Sequence, residues 1–176
     1  VFSEPALLPW RTVEKNLRLP LQLLGKSRDE QTATARDMMK MWEIGHVGGR
    51  YPLQLTPGNK MRAALARAMI TKPKILLLDE PFAALDAITR NKVSAELMKV
   101  REKLPFATLH VTHSAAEAAY LAKRVVVLSA NPGRIQEIIE IPQEHPRGLE
   151  WRESTDFQDA VSRIRAALNQ AKEVKQ

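Results

Sequence analysis

A chain of 176 residues with 44% hydrophobic residues can bury a core of ordinary domain size, which excludes an intrinsically disordered protein. It contains no Cys, which excludes disulfides and thiolate metal sites and suits a reducing compartment, and no apolar run approaches the roughly 20 residues needed to span a bilayer. The net charge of +7 comes from Lys and Arg mixed with Glu and Asp along helical stretches, and only 5% of residues are aromatic, so no nucleic-acid partner is expected.

No secretory signal is visible. The chain begins at Val1, in mid-motif, as a processed or cut piece of a longer protein would. Residues 1–26 carry Pro5, Pro9 and Pro20 and read as a loop followed by a short helix from near Thr12. Ser27-Arg28-Asp29-Glu30 has the form of a capping box, and Ala35, Met38, Met39 and Trp42 follow at helical spacing, with Gly45 as the expected stop. Gly48-Gly49 reads as a turn, and a second helix is expected from Pro57 to Ile70.

The period then changes. Ile75-Leu76-Leu77-Leu78 is a continuous apolar run of the kind that suits a buried parallel strand, and it ends at Asp79. Ile88–Lys103 is an amphipathic helix with Val93, Leu97, Val100 and Leu104 on one stripe. Phe106–Thr112 reads as a strand, Ser114–Ala122 as a helix and Val125–Leu128 as a third strand. Asn131-Pro132-Gly133 is a turn signal, and Ile135–Ile141 alternates like a hairpin strand. A loop with Pro142 and Pro146 follows, and Thr155 or Asp156 is the expected cap of a last helix, about Phe157–Val174. Alternating strands and helices after a helical start predict an α/β fold with a parallel sheet.

Ligands of open parallel sheets sit beyond the carboxyl ends of the strands, where Asp79 and Glu80 lie. One carboxylate there could hold Mg²⁺ and the next could orient or deprotonate a water, although two solvated acids at a strand end have the same spacing. His113 closes the next strand and could meet a terminal phosphate, or serve as a plain surface or capping residue. Asp86 reads as the N-cap of the Ile88 helix and could also make a functional contact.

Taken in this order, the features resemble the ATP-binding subunit of ABC transporters, a P-loop NTPase-like fold. "ILLLDEP" is similar to the Walker B strand with its glutamate, "ALD" to the D-loop, and "HVTHSAAEAAYLAKRVVVLSANPGRI" to the switch-histidine segment. "VFSEPALLPWRTVEKNL" resembles the Q-loop and the start of the helical subdomain, and "LTPGNKMRAALARAM" the signature motif with its helix. "EPALLPWRTV" and "VLSANPGRI" resemble the importers of nitrate, sulfonate and taurine-like solutes.

The resemblance implies a cytoplasmic-face, peripheral subunit of the inner membrane, paired with a second ATPase subunit in a homo- or heterodimer beneath membrane-domain subunits. ATP and Mg²⁺ are the implied ligands. Asp79 would be the metal-side carboxylate, Glu80 the general base, His113 the γ-phosphate switch and Asp86 the contact across the dimer. Thr56 and Gly58 would be what remains of the signature contact, Ser3 would replace the Q-loop glutamine, and the surface from Leu7 to Val13 would help receive the membrane domain. The implied division is 1–70 for the Q-loop and helical subdomain, 71–141 for the Walker B, D-loop and switch part, and 142–176 for the C-terminal loop and helix.

Three departures from the family pattern accompany it. No G-x-x-x-x-G-K-[ST] phosphate loop occurs in the chain, and without that central strand the sheet is expected to expose edges and apolar surface. Ser3 is shorter than glutamine. The signature reads Leu55-Thr56-Pro57-Gly58-Asn59, and Pro57 has no N–H to offer a phosphate but is a good first residue of a helix. The leading expectation is therefore a nucleotide-binding subunit, or part of one, that couples ATP binding and hydrolysis to solute uptake. The alternative is a catalytically impaired structural or regulatory relative.

Overall fold

A computed structural model describes residues 1–130, 132–142 and 147–173; Asn131, Pro146 and Val174 of the expected turn, loop and last helix lie outside the described residues. The chain divides into two compact units, Val1–Val111 and Thr112–Gln176. In the first, α1 (Val13–Leu23), α2 (Arg28–Met41) and α3 (Pro57–Met69) form a helical layer in which α1 packs on both others. Each begins on a hydroxyl cap: Thr12, Ser27 and Thr56 accept from the amides of Lys15, Glu30 and Asn59. Ser27 supplies the expected cap, while the Glu30 carboxylate lies 2.9 Å from Lys26 Nζ. The short helix expected from near Thr12 is α1, and it contains Pro20.

The layer's core holds Val13, Leu17, Ala35, Met38, Trp42 and Leu65. Helix α2 stops before the expected Gly45. Glu43 takes the left-handed conformation at φ +54°, its amide donates to Lys40 O, and the Ile44 amide donates to Met39 O. This Schellman geometry buries Ile44, an apolar gain that carries a non-glycine residue through a left-handed turn.

The first unit's sheet is a parallel pair, β1 (Ile75–Asp79) and β2 (Ala107–Val111), joined by α4 (Ala87–Lys103), with Asp79 opposite Val111. The continuous apolar run is buried on one face only. Leu76 and Leu78 are buried, whereas Ile75 and Leu77 are 62% and 60% exposed, and Leu109 and Val111 are 63% and 53% exposed on β2. The expected apolar surface is therefore present. On the other face Phe82 is fully buried and meets the His110 ring edge-on, with centroids 5.9 Å apart. Burial pushes His110 down to about 4, so it is neutral near pH 7.

In the second unit, α5 (Ala115–Leu121) leads to β3 (Arg124–Leu128), which pairs antiparallel with β4 (Ile135–Glu140), and α6 (Thr155–Glu173) follows. The expected cap of α6 shifts by a residue: Ser154 Oγ accepts from the Phe157 amide. Arg147 is 2% exposed, and its guanidinium donates to the carbonyls of Ala119, Tyr120 and Ala122 at the end of α5. A cation at a helix C-terminus complements the carbonyl dipoles there.

Candidate functional site

Strand β1 ends in an acidic turn tied down on both sides. The Asp79 amide donates to Val1 O at 2.9 Å, making a parallel bridge between Phe2 and Asp79, and the Glu80 amide donates to Val111 O at 2.9 Å. The main chain of Ser3 thus leaves the bridge one residue beyond Asp79's partner. Asp79 is exposed and Glu80 half-buried. Glu80 is left-handed at φ +44°, an uncommon conformation for a residue with a Cβ, and its carbonyl accepts from the Ala83 amide. Buried Phe82 and Leu85 fix the turn that carries the chain into α4.

Asp86 caps α4, with Oδ1 accepting from the Thr89 amide at 3.0 Å, and the hydrogen bonding of Thr89 holds its carboxyl below the usual carboxylate range. Thr56 and Gly58 are engaged locally. The Thr56 hydroxyl serves the Asn59 amide, and a Cβ placed on Gly58 would lie 2.6 Å from Thr89 Cγ2. Asn59 Oδ1 accepts from Arg62, whose guanidinium is bidentate on Glu96 of α4 at 2.6 and 2.7 Å. The start of α3 is therefore packed against α4.

His113 is exposed and opens the second unit, lining a cleft of about 340 Å³ with Ser114 of the α5 cap and Arg165 and Asn169 of α6. Beside it, buried Glu117 accepts from Thr112 Oγ1 at 2.9 Å, and Thr112 Oγ1 in turn accepts from the Ser114 amide. Sequence reading passed over Glu117, whose only signal was its position three residues after a serine cap. It also missed Asn16 and Arg67, which hold the Ser3 loop. A cleft of about 370 Å³ between α2 and α4, lined by Lys40, Lys99 and Lys103 among others, contains none of the expected site residues.

No three His, Cys, Asp or Glu side chains among the described residues form a cluster that could hold a metal by themselves. A metal shared between one carboxylate and a substrate's phosphates does not need such a cluster, and a carboxylate such as Asp79 offers the hard oxygens that suit Mg²⁺. Among the described residues no helix is long and apolar enough to cross a membrane.

A parallel strand pair whose first strand runs into two acids, with a helix after each strand and a helical layer before them in sequence, has the plan of a nucleotide-binding α/β core. Comparison narrows this class. The family described as ABC transporter matches residues 1–83. An uncharacterised ABC transporter ATP-binding protein of Methanocaldococcus jannaschii is 44% identical over 93% of this chain and 61% of its own. A taurine import ATP-binding protein of Pseudomonas putida is 40% identical over 80% of this chain and 54% of its own. An aliphatic sulfonates import ATP-binding protein of Bacillus cereus is 38% identical over 93% and 63%. The dimeric post-hydrolysis structure of the ATP-binding cassette MJ0796, bound to ADP and Pi, superposes with a TM-score of 0.67 at 29% identity, covering 81% of this chain and 63% of that one. These matches support an ABC transporter ATP-binding domain, and this chain spans between about half and two thirds of the length of these relatives.

Proposed function

We propose that the chain is part of the ATP-binding subunit of an ABC importer, a peripheral protein at the cytoplasmic face that pairs with a second ATPase subunit under membrane-domain subunits. The observation that carries this reading is the acidic turn at the end of β1, with the Ser3 segment bridged to it. The relatives named for taurine and sulfonate import support the importer assignment. Residues 1–70 would supply the Q-loop and signature subdomain, 71–141 the Walker B, D-loop and switch parts, and 142–176 the C-terminal loop and helix.

Asp79 would hold the Mg²⁺ that accompanies ATP, and the metal would supply charge neutralisation at the phosphates. The Glu80 carboxylate would accept a proton from the attacking water as its oxygen bonds to the γ-phosphorus. The bond from that phosphorus to the β–γ bridging oxygen breaks, and ADP leaves with the oxygen. His113 would report the γ-phosphate, and Ser3 would reach the water or metal over a shorter distance than glutamine does. Asp86 would face the partner subunit, where Thr56 and Gly58 form the residual signature surface. In the full-length protein, Glu80→Gln is expected to cut ATP hydrolysis at least a hundredfold while nucleotide binding stays within threefold of wild type. Hydrolysis that survives the change would remove Glu80 as the base.

A second reading has its own observation. At the signature, the Thr56 hydroxyl caps α3, Pro57 offers no N–H, and Gly58 is used for close packing on Thr89. Those groups serve the helix start, which favours a subunit whose signature face is impaired and whose partner's site is the weaker one.

A further inference from the structure

Asn16 and Arg67 lie outside the acidic turn, yet they hold the segment that leads away from it. Asn16 is fully buried at the start of α1. Its Oδ1 accepts from the Leu8 amide at 2.8 Å, and its Nδ2 donates to the carbonyls of Leu8, Arg11 and Thr12 at 3.0–3.1 Å. Arg67, in the last turn of α3, donates through Nη2 to Ala6 O at 2.9 Å and Pro5 O at 3.3 Å, and through Nη1 to Asn16 Oδ1 at 3.4 Å. Between these anchors Ala6 adopts φ +45°, a left-handed conformation that a residue with a Cβ keeps only where its surroundings dictate it.

We propose that Arg67 and Asn16 are positioning residues, a side-chain clamp that fixes the main chain of residues 5–12 to α1 and α3 and so sets where Ser3 lies against Asp79. Only three residues, Ser3, Glu4 and Pro5, separate the Phe2–Asp79 bridge from Ala6, four residue steps with a reach of at most about 14 Å. A shift of the clamped end has little slack in which to be absorbed before it meets the strand end. From Arg67, α3 runs about 16 Å back to Thr56. The signature surface and the Ser3 segment are thus fastened to the two ends of one helix. The guanidinium is suited to this task because its planar fork meets several acceptors at once, which an ammonium cannot reproduce in the same geometry.

The consequence for turnover rests on the proposed function; the clamp itself does not. The test uses the full-length protein as wild type, Arg67→Lys and Asn16→Ala, read by amide hydrogen exchange without nucleotide. Both variants are expected to raise exchange at Leu8 and Arg11 tenfold or more, with α4 amides within twofold of wild type. Loop exchange that does not change, or that rises equally in α4, would overturn the clamp. ATP turnover per bound nucleotide is then measured, which removes any loss of folded protein from the comparison. Arg67→Lys is expected to lower it at least fivefold. A loosened loop with unchanged turnover would overturn the positioning role. A wild-type protein that hydrolyses no ATP would instead overturn the proposed function, and the exchange result would stand apart from it.

Discussion

A methyl group added at Gly58 would lie 2.6 Å from Thr89 Cγ2, and the β-branched threonine has little rotamer freedom with which to move away. Gly58→Ala is therefore expected to destabilise the protein by about 1–2 kcal/mol through overpacking at the start of α3. Chemical denaturation measures it, and Thr89→Ser in the same chain is expected to recover most of the loss. Tolerance of Gly58→Ala without rescue would mean the close approach is not what requires glycine. His110 makes a second residue-scale prediction. Its folded value lies near 4, below the ordinary 6.5, so the unfolded chain takes up the proton first. Its contribution is complete above about pH 6.5, is lost as pH falls toward 4, and is flat below that, a total of about 3 kcal/mol. Denaturation at pH 7 and pH 4 should show this difference between wild type and His110→Gln. Equal pH dependence in the two proteins would refute it.

Between elements, α3 and α4 are joined by the bidentate Arg62–Glu96 pair, whose side chains are 14% and 12% exposed. Removing the arginine leaves a largely buried carboxylate without its fork. Arg62→Ala is expected to cost about 3 kcal/mol in denaturation experiments, and the double variant Arg62→Ala/Glu96→Leu markedly less. Equal losses in the two would show that the stranded charge is not the source. Periodicity in the sequence located these helices well, because apolar spacing reports which face will be buried. It misjudged ends where neighbouring residues compete for one role. Ser154 takes the α6 cap ahead of Thr155 and Asp156, and Glu43 ends α2 before Gly45 because Ile44 gains burial there. The run Ile75–Leu78 announced a strand, but an apolar run says only that both faces are fit for burial, not that both are covered.

For the whole molecule, the acidic turn was legible in the sequence because apolar strand, acids and loop are contiguous. Asn16 and Arg67 were not, since their mutual contact spans 51 positions and neither residue type is rare in helices. The apolar row of Ile75, Leu77, Leu109 and Val111 is a larger-scale feature of the same kind, with its cause in what the sheet pairs and packs with. The proposed function places nucleotide and metal at the end of β1. Calorimetric titration of the full-length protein with ATP in the presence of Mg²⁺, wild type against Asp79→Ala, tests it most directly. Saturable binding by wild type and at least a tenfold loss of affinity in the variant are expected. Equal affinity in the two, or no binding by a folded wild-type protein, would contradict it.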